Sequence, residues 1–408
     1  MTANTVAVIG GGVIGLSVAR AVAKRFPATQ VLLLERRSRC GMETSSRSSE
    51  VIHAGIYYKP GSLKAKMCVK GMHMLYDLCE RENIPFRKSG KLLMAWLPEQ
   101  VEEAHQLLER AKANGTPGIR IVKGRELQRL MWQQDIGTEE TNNSSTVALW
   151  SPATGVICSH SLVQSLEARA QRQGVHLQCR TQVKAVTRKA VEGSKPQLTL
   201  ALVEDIDDNQ PVSQVATQEI TSTVDVDYVI NCAGLESARV AAFNDPDCEY
   251  RILPRKGVWA TPRNGDTCRF PSPLVYPVPV QGGNSLGAHT CWHPRGQLRL
   301  GPLDVPVDSI CTDQGQYDYR LMEVYRTGLS QALLPLFGGR LEEELQPENL
   351  TLDMAGLHPS TAPLGQSSDF IVQYDGRGMI NLVGIDSPGL TSCLALGEHT
   401  AQLLAQLQ

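Results

Sequence analysis

An excess of charge of one sign is absent from this sequence. Its 408 residues carry 40 Lys and Arg against 42 Asp and Glu, which gives a formal net charge of -2. A protein that binds nucleic acid or docks on an anionic membrane would show a basic excess. The near balance therefore suggests neither partner, with a peripheral membrane contact as the alternative.

Long hydrophobic runs are also missing. Although 42% of the residues are hydrophobic, no run approaches the roughly 20 residues needed to span a bilayer. The first apolar strand begins at Val6, which leaves no length for a signal or transit peptide ahead of it. These features predict a globular, cytoplasmic chain of about two domains without a transmembrane segment, with a mitochondrial location as the alternative.

The eleven cysteines lack the spacing of a structural framework. They are odd in number, scattered along the chain and never arranged as CxxC. A disulfide framework or a zinc site needs clustered cysteines, so we interpret them as reduced thiols and predict no metal site. The acidic run at residues 204–208 is interpreted as a solvated loop, because its carboxylates have no fixed geometry.

A glycine-rich turn between two apolar strands is the strongest positive signal. The first strand runs directly into the spacing GxGxxG, formed by Gly10, Gly12 and Gly15. An Ala- and Val-rich helical stretch follows, and the second strand ends in Glu35. In such a βαβ unit the helix N-terminus binds a pyrophosphate and the acid hydrogen-bonds a ribose, so the pattern predicts a dinucleotide site. A glycine turn that serves packing alone is the alternative.

Periodicity predicts several further elements. Strands are expected at residues 90–96, 175–179 and 379–383, and Pro-rich antiparallel strands over residues 250–302. A polar stretch at residues 138–145 is predicted to be a disordered insertion. Helices are expected at residues 71–83, 99–114, 161–173, 317–334 and 394–407.

Residues 47–57, Arg-Ser-Ser-Glu-Val-Ile-His-Ala-Gly-Ile-Tyr, carry a more specific pattern. This segment resembles the signature of the L-2-hydroxyglutarate dehydrogenase family, which belongs with the flavoproteins glycine oxidase, sarcosine oxidase and D-amino-acid oxidase. Ser48 stands where the family usually has Asn. Other motif matches follow in order along the chain, and they include Gly90-Lys91, Ala233-Gly234, residues 254–257, residues 286–289 and residues 384–391.

The resemblance implies an α/β fold, α+β overall. An FAD-binding Rossmann-like domain would be discontinuous and comprise residues 1–85, 151–240 and 345–408. A substrate-binding domain with an antiparallel sheet would comprise residues 86–150 and 241–344.

The glycine turn and the family motifs together define the expected FAD contacts. Hydroxyls and a guanidinium in a Ser-rich loop, small residues after a returning strand and a closing loop near the C-terminus suit a phosphate-bearing cofactor. The expected FAD-binding residues are Gly10, Gly12, Val13, Ile14, Gly15, Glu35, Arg36, Ser45, Ser46, Arg47, Val183, Ala233, Gly234, Gly356, Pro388, Gly389, Leu390 and Thr391.

No second GxGxxG is present for a nicotinamide. The flavin is therefore expected to take a hydride from the substrate, and an electron acceptor, oxygen or a quinone or other carrier, would reoxidise it. Alcohol oxidation also needs a base near pH 7, which favours histidine. His53 and His289 lie in the family motifs and are the candidates. His53 could instead position the flavin or link to it covalently, and His289 could pack within a sheet.

The motif expected to grip a substrate carboxylate departs from the family. Ala-Gly-Ile-Arg-Pro is usual there, whereas this chain has Gly356 followed by Leu and His358. Loss of the guanidinium leaves an imidazole that binds an anion only when protonated, which predicts affinity that weakens from about pH 6 to 8. The other candidate anion partners are Lys256, Arg255, Lys66 and Lys64, each with an ordinary surface cation as the alternative.

The resulting hypothesis is an FAD-dependent enzyme that oxidises a small 2-hydroxy acid similar to L-2-hydroxyglutarate. The altered carboxylate motif leaves the identity of the acid open. The alternative is an amine or amino-acid oxidase, because oxidation beside nitrogen uses the same flavin geometry.

Overall fold

The computed structural model describes residues 4–132, 146–189, 197–208, 210, 218–263, 267, 269–279, 287–307, 311, 316–363 and 366–407. The polar stretch predicted at residues 138–145 lies outside them. The helices are α1 (Val13–Arg25), α2 (Leu63–Glu82), α3 (Pro98–Ala113), α4 (Gly124–Trp132), α5 (Ser159–Arg172), α6 (Ser237–Asn244), α7 (Val324–Leu333) and α8 (Gly389–Ala405).

The strands belong to several sheets, described below by their order in space. In chain order the strands are β1 (Thr5–Ile9), β2 (Gln30–Leu34), β3 (Val51–Ile52), β4 (Phe86–Arg87), β5 (Lys91–Ala95), β6 (Arg120–Lys123), β7 (Val147–Ser151), β8 (Gly155–Ile157), β9 (Val175–Gln178), β10 (Gln182–Lys189), β11 (Gln197–Val203), β12 (Ser222–Val226), β13 (Tyr228–Asn231), β14 (Arg255–Pro262), β15 (Leu274–Pro277), β16 (His289–Trp292), β17 (Leu298–Pro306), β18 (Leu350–His358), β19 (Ile371–Tyr374) and β20 (Met379–Val383).

A six-stranded sheet forms the first half of the architecture. Its order is β19-β20-β13-β1-β2-β9, and every pair is parallel except β19 with β20. Side chains alternate between the faces of β1. Val6 and Val8 pack toward a core shared with α1, α5 and α8, whereas Ala7 and Ile9 pack toward the small β10-β11-β12 sheet. Both faces are covered, as expected for parallel strands.

The second half is built from three sheets around another core. The order β16-β17-β14-β18 is antiparallel throughout. The order β15-β5-β7-β6 is antiparallel except for β15 with β5. The short antiparallel β3-β8-β4 sheet contributes to both cores, with Val51 and Val156 on this side and Ile52 and Ile157 on the other. The core beneath these sheets includes Leu92, Trp259 and Tyr276, all less than 3% exposed.

The predicted fold class is confirmed, and most predicted elements are present with shifted ends. The helix expected from residue 71 begins at Leu63, because the Ser62 hydroxyl caps it by accepting a hydrogen bond of 3.1 Å from the Ala65 N–H. The final helix begins at Gly389 instead of residue 394. The expectation of purely antiparallel strands over residues 250–302 is wrong for β15, which runs parallel to β5.

The helix predicted over residues 317–334 is wrong for its first part. Only Val324–Leu333 is helical. Tyr317 and Tyr319 each make tertiary contacts: the Tyr317 hydroxyl donates to Glu236 at 3.0 Å and the Tyr319 hydroxyl donates to Glu43 at 2.5 Å. These contacts to other parts of the chain override the local helical periodicity.

Helices α8 and α1 approach each other closely at Gly397, and this contact allows a prediction about stability. A Cβ on Gly397 would lie 2.5 Å from the backbone oxygen of Ser17, which cannot move aside cheaply. Replacing Gly in a helix normally gains less than ~1 kcal/mol, whereas overpacking costs ~1–3 kcal/mol. We expect Gly397→Val to lower the thermal unfolding midpoint by several degrees. Gln402→Val on the exposed face of the same helix should leave the midpoint nearly unchanged, and equal midpoints for the two variants would contradict the close-packed interface.

Candidate active site

A large cavity opens where β1 meets the glycine-rich turn. It contains about 1560 Å³ of space free of protein atoms, part of which is open solvent. Its wall joins segments that are far apart in sequence. The sequence-predicted residues in this wall are Gly10, Gly12, Val13, Ile14, Glu35, Arg36, Ser45, Arg47, His53, Val183, Ala233, Gly234, His358, Pro388, Gly389, Leu390 and Thr391.

Five other predicted site residues do not line the cavity: Gly15, Ser46, Gly356, His289 and Lys256. The two glycines permit close backbone packing behind the wall. A Cβ on Gly15 would lie 1.8 Å from the Gly10 oxygen, and one on Gly356 would lie 2.0 Å from the Arg47 oxygen. Their position behind the wall indicates that they shape the cavity without facing its contents.

The glycine-rich turn fits a dinucleotide phosphate. Gly10 has φ +103°, and a Cβ there would lie 2.5 Å from the Cys232 oxygen, so only glycine suits the position. Gly12 is the N-cap of α1 and supplies no side-chain hydrogen bond to the helix. The Val13 N–H donates to the Ser45 hydroxyl at 3.1 Å. The helix therefore begins at the cavity wall, where its N–H groups and dipole favour an anion.

Glu35 is held at the end of β2 by the turn itself. One carboxylate oxygen accepts from the Gly11 N–H at 2.6 Å and the other from the Arg37 N–H at 2.7 Å. Burial raises the pKa of Glu35, and these two backbone hydrogen bonds oppose that rise. Each carboxylate oxygen keeps a further lone pair, so the acid can still accept a hydrogen bond from a hydroxyl group.

The Ser-rich loop, residues 38–50, packs against residues from the C-terminal part of the chain. The guanidinium of Arg47 lies over the Tyr319 ring, with 3.9 Å from its carbon to the ring centroid. Arg47 also donates to the Ala355 oxygen at 3.4 Å. Arg36 is similarly stacked on Tyr317 at 5.0 Å. The loop is therefore not the solvated surface segment that its composition alone would allow.

His53 forms part of the cavity wall and contacts the C-terminal segment of the chain that contributes to the same wall. Its backbone N–H donates to the Thr391 hydroxyl at 3.0 Å, and its Nε2 lies 3.4 Å from the Ser387 hydroxyl. Burial lowers the pKa of His53 well below its ordinary value, and the positive charge of Lys91 lowers it further. The imidazole is consequently neutral near pH 7 and able to accept a proton.

His289 lies outside this wall, at the start of β16. Its Nδ1 hydrogen-bonds the Gly301 oxygen, which requires a proton on Nδ1 and leaves Nε2 as the basic atom. The ring packs edge-on to Tyr276, with 3.7 Å between centroids, and is tilted against Trp259. Burial lowers the pKa of His289, and the charges of Lys91 and of His53 when it is protonated lower it further.

His358 lies in the cavity wall at the end of β18, as the motif comparison placed it. Burial lowers the pKa of His358; the Arg255 charge acts in the same direction, and Asp304 and Asp386 act against it. Its protonated fraction therefore falls at lower pH than for an exposed imidazole. The pH window predicted between about 6 and 8 shifts downward, which weakens His358 as an anion partner at neutral pH.

The lysines interpreted as ordinary surface cations are not all on the surface. Lys256 is 2% exposed and pairs with Asp318 at 3.3 Å, away from the cavity wall. Lys64 is 6% exposed and pairs with Asp386 at 2.6 Å. Asp386 also pairs with Arg255 at 3.2 Å, so two cations share one carboxylate beside the cavity.

Lys91 is the residue that the motif analysis quoted without assigning it a role. It starts β5 and is completely buried, with its ammonium 3.2 Å from the Tyr57 hydroxyl. Both His53 and His289 feel its charge. The available signal was a lysine at the head of an otherwise apolar strand, Lys-Leu-Leu-Met-Ala, whose residues are all buried.

A group of potential metal ligands in the described residues includes Glu50, which lines the cavity. Glu50, Cys158 and His293 place ligand atoms within 4.8 Å of one another. The Glu50 carboxylate is already engaged by the Ser159 N–H and hydroxyl and by Arg299 at 3.2 Å. Because this carboxylate already has a cationic partner, we assign no metal to the group.

Known proteins resemble this chain over nearly its full length. A family model described as FAD dependent oxidoreductase matches residues 5–403. An L-2-hydroxyglutarate dehydrogenase of Arabidopsis thaliana, described as mitochondrial, is 32% identical over 97% of this chain and 82% of its own length. A protein of the same name from Indibacter alkaliphilus is 30% identical over 96% of both chains.

Solved structures show the same fold. The L-alpha-glycerophosphate oxidase of Mycoplasma pneumoniae with FAD bound has a TM-score of 0.77 at 22% identity, covering 99% of this chain and 95% of its own. The glycine oxidase of Geobacillus kaustophilus has a TM-score of 0.72 at 17% identity, with coverage of 99% and 95%. Within the described residues, no helix has the length and apolarity to cross a bilayer.

Three observations indicate the same family: the glycine-rich turn, the family match from residue 5 to 403 and the full-length relatives. This chain is an FAD-dependent oxidoreductase and belongs to the L-2-hydroxyglutarate dehydrogenase family.

Proposed function

We propose that this enzyme oxidises a small 2-hydroxy acid, L-2-hydroxyglutarate or a close relative, to the corresponding 2-oxo acid. The names of its full-length relatives support this substrate class. The structural observation that carries the proposal is the pair of buried, neutral imidazoles, His53 in the cavity wall and His289 outside it. Oxidation of a hydroxyl group needs such a base to remove the O–H proton.

The cavity supplies the FAD contacts of the proposal. The N-terminus of α1 at Gly12 and Val13, with the Ser45 hydroxyl, would hold the pyrophosphate. Glu35 would bind the adenosine ribose. Val183 and Ala233 line the same cavity and would border the adenine end. The start of α8 at Gly389 would face the flavin ring, where its dipole favours negative charge on the reduced cofactor.

FAD, when bound, supplies the hydride acceptor at its N5 atom. The protein removes the hydroxyl proton of the substrate, so that the carbon–oxygen double bond can form as the hydride leaves. His53 is the first candidate for this proton, because it lines the cavity and its Nδ1 has no hydrogen-bond partner among the described residues. His289 is the second candidate, with its Nε2 lone pair free by virtue of the Nδ1 hydrogen bond to Gly301.

Reoxidation and location complete the proposal. The reduced flavin would pass its electrons to oxygen or to a quinone or other carrier. A reducing compartment such as the cytoplasm is supported by the cysteines of the described residues, all of which are free thiols.

The proposal also assigns FAD binding and substrate binding to different parts of the chain. The FAD-binding part comprises residues 1–85, 151–240 and the C-terminal region, and the substrate-binding part comprises residues 86–150 and 241–344. The pairing of β18 with β14 associates Leu350–His358 with the substrate-binding sheet, although the predicted boundary is residue 345. The carboxylate motif would then reach the cavity from the substrate side.

Substrate reduction of the flavin tests the function directly. Mixed anaerobically with L-2-hydroxyglutarate, the purified yellow enzyme should lose its flavin absorbance near ~450 nm, because the cofactor carries the redox step. Sarcosine should leave the absorbance unchanged, and D-2-hydroxyglutarate is the stereochemical control. Bleaching by sarcosine alone would replace the proposed activity with an amine or amino-acid oxidase.

A side chain on Gly12 tests the cofactor cradle. Its Cβ would lie 3.0 Å from the Ser45 hydroxyl, so Gly12→Val should displace the Ser45–Val13 hydrogen bond and obstruct the pyrophosphate site. We expect colourless protein, measured as flavin absorbance per polypeptide. Ala28→Val adds the same type of side chain at an exposed position and should remain fully yellow. A yellow Gly12→Val protein would place the pyrophosphate elsewhere.

Separate replacement of the two imidazoles identifies the base. Removing a general base should slow flavin reduction by ~10²–10⁴-fold while FAD stays bound. We expect this for His53→Ala under anaerobic single-turnover conditions and a smaller loss for His289→Ala. The reverse order would assign the proton to His289. Wild-type rates in both variants would show that neither imidazole takes the proton.

A further inference from the structure

Lys91 is a fully buried cation whose surroundings are aromatic. Its side chain is 0% exposed, and its Nζ lies 3.2 Å from the Tyr57 hydroxyl. The Tyr57 and Tyr276 ring centroids lie 4.7 Å and 4.4 Å from the same atom. Ring faces attract a cation, but they neutralise no charge. The ammonium is therefore sequestered from water without an anion to balance it.

Comparison with the other buried lysines shows how unusual this environment is. Lys64 is paired with Asp386 at 2.6 Å, and Lys256 is paired with Asp318 at 3.3 Å. Lys91 forms no ion pair within the described parts of the chain. A buried ammonium without a counter-ion is strongly unfavourable in the free protein. Such a group is stabilised when a ligand brings the missing negative charge.

Other polar atoms in the same neighbourhood also lack partners. The Tyr276 hydroxyl and the His53 Nδ1 are buried and have no hydrogen-bond partner among the described residues. Tyr276 touches both Lys91 and the His289 ring. The cluster of Lys91, Tyr57 and Tyr276 thus offers one positive charge and two hydroxyl groups beside the His289 ring, and the Lys91 charge is close enough to His53 to lower its pKa.

We propose that Lys91, assisted by the Tyr57 and Tyr276 hydroxyls, binds the substrate carboxylate attached to the carbon that is oxidised. The inference rests on the proposed function only in requiring an acid substrate. The nearness of Lys91 to His53 and His289 selects this carboxylate, because the reacting carbon must lie beside the base. Lys91 would then bind the anion that the family motif assigns to an arginine. His358 stands in place of that arginine here.

The ionisation of Lys91 gives the site a distinctive pH dependence. Burial lowers the pKa of Lys91 to about 7. Above that pH the free enzyme holds a neutral amine, so affinity for an anion should be present below pH 7 and decline as the pH rises. The groups that face Lys91 do not titrate in this window. Burial raises the pKa values of Tyr57, Tyr276 and Cys68, and it lowers those of His53 and His289.

Replacement of Lys91 by methionine separates binding from structure. Methionine is similar in length and needs no counter-ion, so Lys91→Met should unfold at the same or a higher temperature and retain FAD. The dissociation constant for 2-oxoglutarate, followed by flavin absorbance in the holoenzyme, should rise at least ~30-fold. The wild-type constant should rise by up to ~tenfold per pH unit above pH 7, and this slope should vanish in Lys91→Met. Lys123→Met, an exposed change in the same sheet, should behave as the wild type.

Several results would overturn the inference. Wild-type affinity in Lys91→Met would do so, as would a lower unfolding temperature accompanied by loss of FAD, which would identify a structural lysine. If that variant does not fold, the wild-type profile decides, and a constant affinity between pH 6 and 9 rejects the proposal. Failure of the proposed substrate is a separate outcome. If sarcosine bleaches the flavin and L-2-hydroxyglutarate does not, the same Lys91→Met comparison is made on the Km for sarcosine, which also carries a carboxylate.

Discussion

The close approach of backbone to backbone at the glycine-rich turn is the constraint on which the site depends. Gly15 lies so near the Gly10 oxygen that a Cβ would come within 1.8 Å of it. This contact brings the start of α1 to the end of β1, and it places Glu35 where its carboxylate accepts the Gly11 N–H. The cavity, the helix terminus whose dipole favours an anion, and the position of the Glu35 carboxylate all follow from that packing.

Burial then decides the electrostatics around the cavity. His53, His289 and His358 all have pKa values lowered by desolvation, so the site has neutral imidazoles at physiological pH. The buried cations nearby nonetheless outnumber their carboxylate partners. Lys64 and Arg255 share Asp386, and Lys91 has no carboxylate partner among the described residues. An enzyme that combines neutral bases with surplus buried cations is suited to an anionic substrate from which it must remove a proton.

The two halves of the molecule contribute differently to this arrangement. The parallel sheet and its helices carry the glycine turn, whose geometry is local in sequence. The antiparallel sheets supply His289 and Lys91 from strands almost 200 residues apart, and Tyr317 and Tyr319 cover the Ser-rich loop from outside the sheets. The cavity wall thus joins residues of both halves, whereas His289 and Lys91 lie outside that wall.

The sequence by itself determined the βαβ unit, the fold class, the family and most of the cavity wall, because these depend on short-range spacing and on motifs that survive in linear order. It did not determine that residues 317–323 would leave the helical conformation, since the contacts of Tyr317 and Tyr319 are made by distant residues. It also could not show which cations are buried or what they contact. Lys256 pairs with the Asp318 carboxylate, whereas Lys91 lies against the rings of two tyrosines. Desolvation and charge pairing are properties of the assembled interior. Only the tertiary structure therefore decided which histidines are neutral and which buried lysine has no carboxylate partner among the described residues.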